Sequence, residues 1–161
     1  MAQPICPRCS SEYVRRVSRV GLGEQLVSHF YIYPFRCQLC GHRFKLLQWG
    51  ITYTRVEEDR REYERLAAHF PVAFTAGAIN GNGSAVDISM GGCTFHTETR
   101  LTQGSIVRLG LQVSKDIAAV NVEAAVVRSV SDGRTGVEFL RVEHSERERL
   151  QRFIRGLMFG R

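Results

Sequence analysis

Two cysteine pairs carry the plainest chemistry in the sequence: Cys6-Pro-Arg-Cys9 and Cys37-Gln-Leu-Cys40, the second followed by Gly41-His42-Arg43-Phe44. A CxxC turn points two thiolates at one centre, and two such turns supply the tetrahedral sulfur set that zinc prefers. Four thiolates leave no position for water, so the expected metal is structural and not catalytic. Redox-active or unpaired thiols are the competing use. His29 and His42 stand nearby as substitute ligands, but four sulfurs already satisfy the ion, and surface or packing roles are expected of both. The fifth cysteine, Cys93, follows Gly92 in an apolar run and is expected to behave as a small buried hydrophobe.

A second set of residues suits an anionic, hydrogen-bonding ligand. Arg61 and Arg65 are four residues apart, so a helix or an extended chain would present both guanidinium groups on one side. Asp87-Ile88-Ser89-Met90-Gly91-Gly92 follows 22 positions after Arg65 and combines an acceptor, a hydroxyl and a turn. Singly, each has an ordinary alternative. The arginines could pair with Glu57, Glu62 and Glu64 on a solvated helix, and Asp87 and Ser89 could form a simple Asx or Ser turn.

The elements that must position these residues fall into two styles. Residues 1–48 hold the cysteine pairs, residues 49–59 form a linker, and residues 60–161 form the larger domain. Twenty-seven residues separate Cys9 from Cys37, room for an inserted helix or hairpin. Within that interval, Gly21–Tyr33 is apolar enough to contact a partner or membrane, or to pack on the small module itself. Beyond residue 69, runs rich in Val, Ile, Thr and Phe read as short strands: 70–74, 85–88, 93–97, 106–113, 120–130 and 135–140. Turns are expected at Asn80-Gly81-Asn82-Gly83, Gly91-Gly92, Gln103-Gly104 and Ser131-Asp132-Gly133. Ser145 with Glu148 predicts a capping box. Leu150, Phe153, Ile154, Leu157 and Met158 then form the apolar stripe of a closing helix that covers the strands.

In this order, the paired motifs and the strand-and-helix pattern resemble the PilZ family, which is marked by RxxxR followed by [D/N]xSxxG. The likeness covers about residues 57–161, and the front segment resembles a zinc ribbon. The fold so implied is mainly β: a six-stranded antiparallel barrel with a C-terminal helix, preceded by a small ribbon. The implied ligand is cyclic di-GMP, often as a stacked pair. Arg61 and Arg65 would clamp guanine O6/N7 edges or phosphates, with Arg60 as a third cation. Asp87 would accept from guanine N–H groups and Ser89 would bond beside it, while Gly91 and Gly92 would let the backbone come close.

Bulk composition narrows the remaining classes. The 161 residues are 43% hydrophobic and 24% charged, the balance of a folded protein. No run approaches the ~20 apolar residues of a membrane span, and the first residues lack signal-peptide character, so a cytoplasmic protein is expected, and the family resemblance implies a bacterial one. Residues 1–55 contain eight Lys/Arg against two acids, whereas the rest balances at fourteen of each, so the net charge of +6 sits in the first third of the chain. Arg8, Arg15, Arg16, Arg19, Arg36, Arg43 and Lys45 therefore motivate an alternative function, a nucleic-acid- or protein-binding adaptor with a non-binding barrel. A downstream protein partner is expected in either case. No nucleophile has a recognisable activating partner, so an enzyme is not expected. Because Arg60, Arg61 and Arg65 follow the linker, a ligand gathering them would also fix the chain leaving the ribbon.

Overall fold

The computed structural model describes residues 4–51, 53 and 62–160, and divides the chain into two compact units meeting between Glu64 and Arg65. Arg60 and Arg61 lie outside the described residues.

The first unit is a three-stranded antiparallel sheet of β1 (Val14–Arg16), β2 (Ile32–Cys37) and β3 (Arg43–Leu47), in that order. The long interval between the cysteine pairs holds β1, an eight-residue helix α1 (Gly21–Ser28) and most of β2, so what is inserted between the two paired strands is a helix. Glu24 closes its start by accepting the Val20 N–H at 2.7 Å. Tyr33, Phe35 and Leu39 are buried, a small apolar core for a unit this size. The apolar stretch is only partly used in it. Leu22, Leu26 and Phe30 are largely exposed on and just after α1.

The second unit is a closed barrel of six antiparallel strands: β5 (Pro71–Ala76), β6 (Ile79–Ser89), β7 (Gly92–His96), β8 (Ile106–Leu111), β9 (Val120–Ser131) and β10 (Arg134–Arg141). Neighbours run β6-β5-β8-β9-β10-β7, and the β6–β7 pairing closes the ring. A two-residue strand, β4 (Leu66–Ala67), adds to β6 through Leu66↔Ile88 and Ala67↔Asp87. Alternation decides which side chains enter: Val72 and Phe74 of β5, Val107, Leu109 and Leu111 of β8, and Val120 and Val122 of β9 are all buried. Helix α2 (His144–Phe159) covers the barrel with Leu150 and Ile154 fully buried, as the stripe requires. Phe153 meets the Phe70 ring edge-on at 5.6 Å. No helix among the described residues is long and apolar enough to cross a membrane.

Two local expectations are corrected. Asn80-Gly81-Asn82-Gly83 is not a turn but the first half of the long strand β6, and the β5–β6 reversal falls at Gly77 and Ala78. The glycines are there for proximity. A Cβ at Gly81 would strike the Phe74 ring, and one at Gly83 would strike the His96 carbonyl, so the strand interior requires residues without side chains. The capping box is also absent: α2 begins at His144 after Glu143, with no side-chain cap, which leaves Ser145 inside the helix. Glu148 instead pairs with His144, and the neighbouring Glu146 accepts the Asn121 N–H at 2.8 Å, tying the helix start to β9. By contrast, Ser131-Asp132-Gly133 does form the β9–β10 turn, with Asp132 and Gly133 both in the left-handed region (φ 48° and 73°).

Candidate ligand and metal sites

The four cysteines Cys6, Cys9, Cys37 and Cys40 converge, with all their sulfurs within 4.8 Å of one another. The two pairings that cross between knuckles, Cys6–Cys40 and Cys9–Cys37, are each 3.6 Å. Four sulfurs at ~2.3 Å from one ion in a tetrahedron are separated by about 3.8 Å, so the set has the size of a zinc–thiolate site. The knuckles share one backbone plan. Ser10 N–H donates to the Cys6 carbonyl (2.9 Å) and Gly41 N–H to the Cys37 carbonyl (3.1 Å). Ser10 and Gly41 are both left-handed, at φ 55° and 74°.

Backbone N–H groups also face the sulfurs, as at Cys40 N–H to Cys37 Sγ (3.5 Å). Burial raises the Cys9 and Cys40 thiols above their ordinary value. Burial acts the same way at Cys6, but the Cys9 and Arg8 N–H groups outweigh it and that thiol titrates below its ordinary value. His29 and His42 take no part. The His29 ring meets the Gln25 carbonyl at 3.0 Å and the His42 ring stacks on Phe44 at 6.1 Å.

On the barrel, the second set gathers around the β6–β7 pair. Register is regular from Ser84↔His96 to Ala85↔Phe95 and then shifts, so that Asp87 faces Thr94 and Ile88 faces Cys93. The extra residue is Val86. It resets the alternation, so Ala85 and Ile88 both enter the core while Asp87 stays half-buried at the surface.

Arg65, just before β4, reaches across to both partners: its Nη1 donates to Thr94 Oγ1 at 2.9 Å and stands 3.6 Å from Asp87 Oδ1. That oxygen is buried and accepts no hydrogen bond. A buried carboxylate oxygen with an opposite charge near it but no donor on it is left unsatisfied. Beneath this group, the Cys93 thiol is pushed up to about 12, first by burial and then by the Asp87 charge, with Arg65 opposing.

Ser89 and Gly92 serve the turn itself. The Ser89 hydroxyl donates to the Gly92 carbonyl and accepts the Gly91 N–H, both at 3.2 Å, so its hydrogen bonds go to the turn. A Cβ at Gly92 would run into the Val137 carbonyl of β10, so this position allows the β7–β10 pairing that completes the ring. Thr94 was not singled out by sequence reasoning, because only the shifted register places it opposite Asp87.

The family model described as the PilZ domain matches residues 59–156, more than half of the chain. The chain belongs to the PilZ family. Solved structures share the fold. The PilZ domain with c-di-GMP of YcgR from Escherichia coli is 23% identical at a TM-score of 0.53, covering 63% of this chain and 94% of that one. The Bacillus subtilis inhibitor of motility MotI/DgrA is 18% identical at 0.53, covering 81% and 75%. The K. pneumonia MrkH–c-di-GMP complex is 15% identical at 0.52, covering 80% and 71%. No protein with a curated description matches the chain. Arg65, Asp87, Ser89 and Gly92 of the PilZ motifs thus come together on one edge of this barrel.

Proposed function

We propose that this protein is a bacterial cytosolic receptor for cyclic di-GMP, with a structural zinc ion in its ribbon and no catalytic step of its own. The observation that carries the ligand reading is the Arg65–Asp87 pair on the bulged β6–β7 edge, where Asp87 Oδ1 lacks a hydrogen-bond donor beside an Arg fork. Guanine supplies the complementary pattern: N–H donors for a carboxylate, and the O6/N7 acceptor pair for an arginine. Arg60 and Arg61, adjoining in sequence, complete the cationic side of the motif. Ser89, Gly91 and Gly92 contribute by fixing the turn beside that pair.

The zinc reading rests on the size and donor chemistry of the four-sulfur cluster. The adaptor reading, with a polyanion track on the ribbon, has less support. Several of its basic residues are engaged within the first unit: Arg16 lies over the Tyr53 ring, Arg19 donates to Ser28, Arg36 pairs with Glu62, and Arg43 pairs with Glu24.

Calorimetric titration of the purified chain with cyclic di-GMP, with GTP and cyclic di-AMP as controls, tests the function. Binding should be selective for cyclic di-GMP. Arg65→Ala or Asp87→Ala should weaken it by about 5- to 150-fold, the value of one bidentate arginine–guanine contact, with the barrel still folded. Unchanged affinity in both variants would move the site elsewhere.

A further inference from the structure

The second knuckle carries a residue that neither the metal nor the core explains. Gln38 lies inside Cys37-Gln-Leu-Cys40, and it is 5% exposed. A buried amide must be hydrogen-bonded, and its partners are informative. Gln38 Oε1 accepts the Glu64 N–H at 2.6 Å, while Nε2 donates to the Glu62 carbonyl at 3.2 Å and the Arg36 carbonyl at 3.3 Å.

The neighbouring residues hold the same short segment. Arg36 Nη2 pairs with the Glu62 carboxylate at 2.9 Å, Arg36 Nη1 donates to the Tyr63 hydroxyl at 3.2 Å, and the guanidinium lies 5.4 Å over the Tyr63 ring. The Tyr63 hydroxyl fills the space a side chain on Gly41 would need, since a Cβ there would fall 2.6 Å from it. Gly41 is already required by the left-handed turn of the knuckle. Arg36, Gln38 and Gly41 therefore grip Glu62-Tyr63-Glu64, the three residues that separate the arginines of the RxxxR motif. The chain passes from Glu64 directly into Arg65.

We propose that the metal knuckle is a positioning clamp for the ligand site: by holding Glu62–Glu64 it fixes the chain entering Arg65, so loss of the metal or of Gln38 lowers affinity for cyclic di-GMP. The proposal rests on the cyclic di-GMP reading above. Its physical basis is preorganisation. A ligand that gathers arginines from a loose segment must remove that segment's conformational freedom on binding, whereas a segment already held costs the ligand little. Gln38 and Arg36 act through the backbone and touch no ligand, so they are positioning residues. Cys37 and Cys40 would hold a zinc ion from either end of the turn that presents them, and the ion would fix that turn.

The test uses the full chain loaded with zinc, cyclic di-GMP calorimetry, and hydrogen exchange over residues 62–66. Gln38→Ala should retain one zinc per chain and an unchanged barrel unfolding midpoint. It should lose affinity by about 5- to 30-fold, the scale of one or two lost hydrogen bonds, and exchange faster at Glu64. Gln38→Met keeps the length of the side chain without its hydrogen bonds, and it should be as weak as the alanine variant. Stripping zinc with a chelator should weaken binding in the wild type by at least as much.

Wild-type affinity in Gln38→Ala and in the stripped chain, with Arg65→Ala still defective, would overturn the clamp and leave the receptor function standing. Recovery in Gln38→Met would reduce the clamp to packing and overturn it as well. If the wild type itself does not bind cyclic di-GMP, the receptor reading fails first. Exchange over residues 62–66 then decides the clamp, and no change in Gln38→Ala rejects it.

Discussion

At the scale of single residues, side-chain chemistry with local spacing was legible and side-chain chemistry with long-range register was not. The two CxxC pairs announce their convergence, and the sulfurs do converge. Asp87 could be read from its motif, but Thr94 could not, because the bulge at Val86 that pairs them leaves no mark in either strand's composition. Gln38 was equally silent: an uncharged residue inside a CxxC turn looks like filler until its three hydrogen bonds are seen. Cys93 was read as a buried hydrophobe, and it is fully buried. Burial raises its thiol from the ordinary 9.0 to about 12, so folding favours the protonated form. Its stabilising contribution is complete below about pH 9 and is lost as pH rises toward 12. Denaturant midpoints at neutral pH and near pH 10.5 should therefore fall less in Cys93→Ala than in the wild type, by up to about 2 kcal/mol of stability. Equal losses in the two proteins would mean the thiol is not held protonated.

At the scale of elements, hydrophobic alternation located every barrel strand, while glycine-rich text misplaced one boundary. Asn-Gly pairs usually mark hairpin turns, yet β6 runs through two of them because neighbouring groups press on its backbone. The distinction depends on what lies above the strand, which sequence alone does not display. Helix starts were similarly hard to place, because α2 is anchored by Glu146 to β9 and not by its own cap. A pair of glycine substitutions separates the two uses of the residue. Gly156 sits in α2 with nothing within 4 Å of a built Cβ, so Gly156→Ala should stabilise the barrel by about 0.5–1 kcal/mol. Gly83→Ala must displace a backbone carbonyl and should destabilise it by about 1–3 kcal/mol or more. Urea denaturation of both variants checks the contrast, and a neutral Gly83→Ala would show that β6 can shift away.

At the scale of the whole molecule, each unit has its own core: Tyr33, Phe35 and Leu39 in one, and Phe74, Phe95, Val107, Leu111 and Val127 among many in the other. The smaller core is slight, and on the proposed zinc reading the stability of its unit is tied to the metal. Cys37→Ser should lose the zinc and speed hydrogen exchange throughout β1, β2 and β3, while exchange in β5–β10 stays slow. Uniform loss of protection in both units would show that the barrel depends on the ribbon for its folding, and retained zinc would place the fourth ligand elsewhere. Charge and cysteine placement lead one to expect a small front module and a larger domain, and the structure divides the chain between Glu64 and Arg65. The attachment of Glu62–Glu64 to the ribbon was not legible, since that charged run reads equally well as the start of a helix.

The division of labour inside the Asp-x-Ser-x-x-Gly stretch has an evolutionary consequence. Ser89 and Gly92 close the barrel, one by tying the turn and the other by leaving room for the Val137 carbonyl, whether or not anything is bound. Arg65 and Asp87 have no such duty. A lineage that ceased to sense the nucleotide would be free to drift at the arginine and the aspartate, but would keep the serine and the glycine as the remnant of a signature. Relatives should therefore be sorted into sensing and silent by the charged half of the motif, with the small-residue half telling only that the barrel still closes.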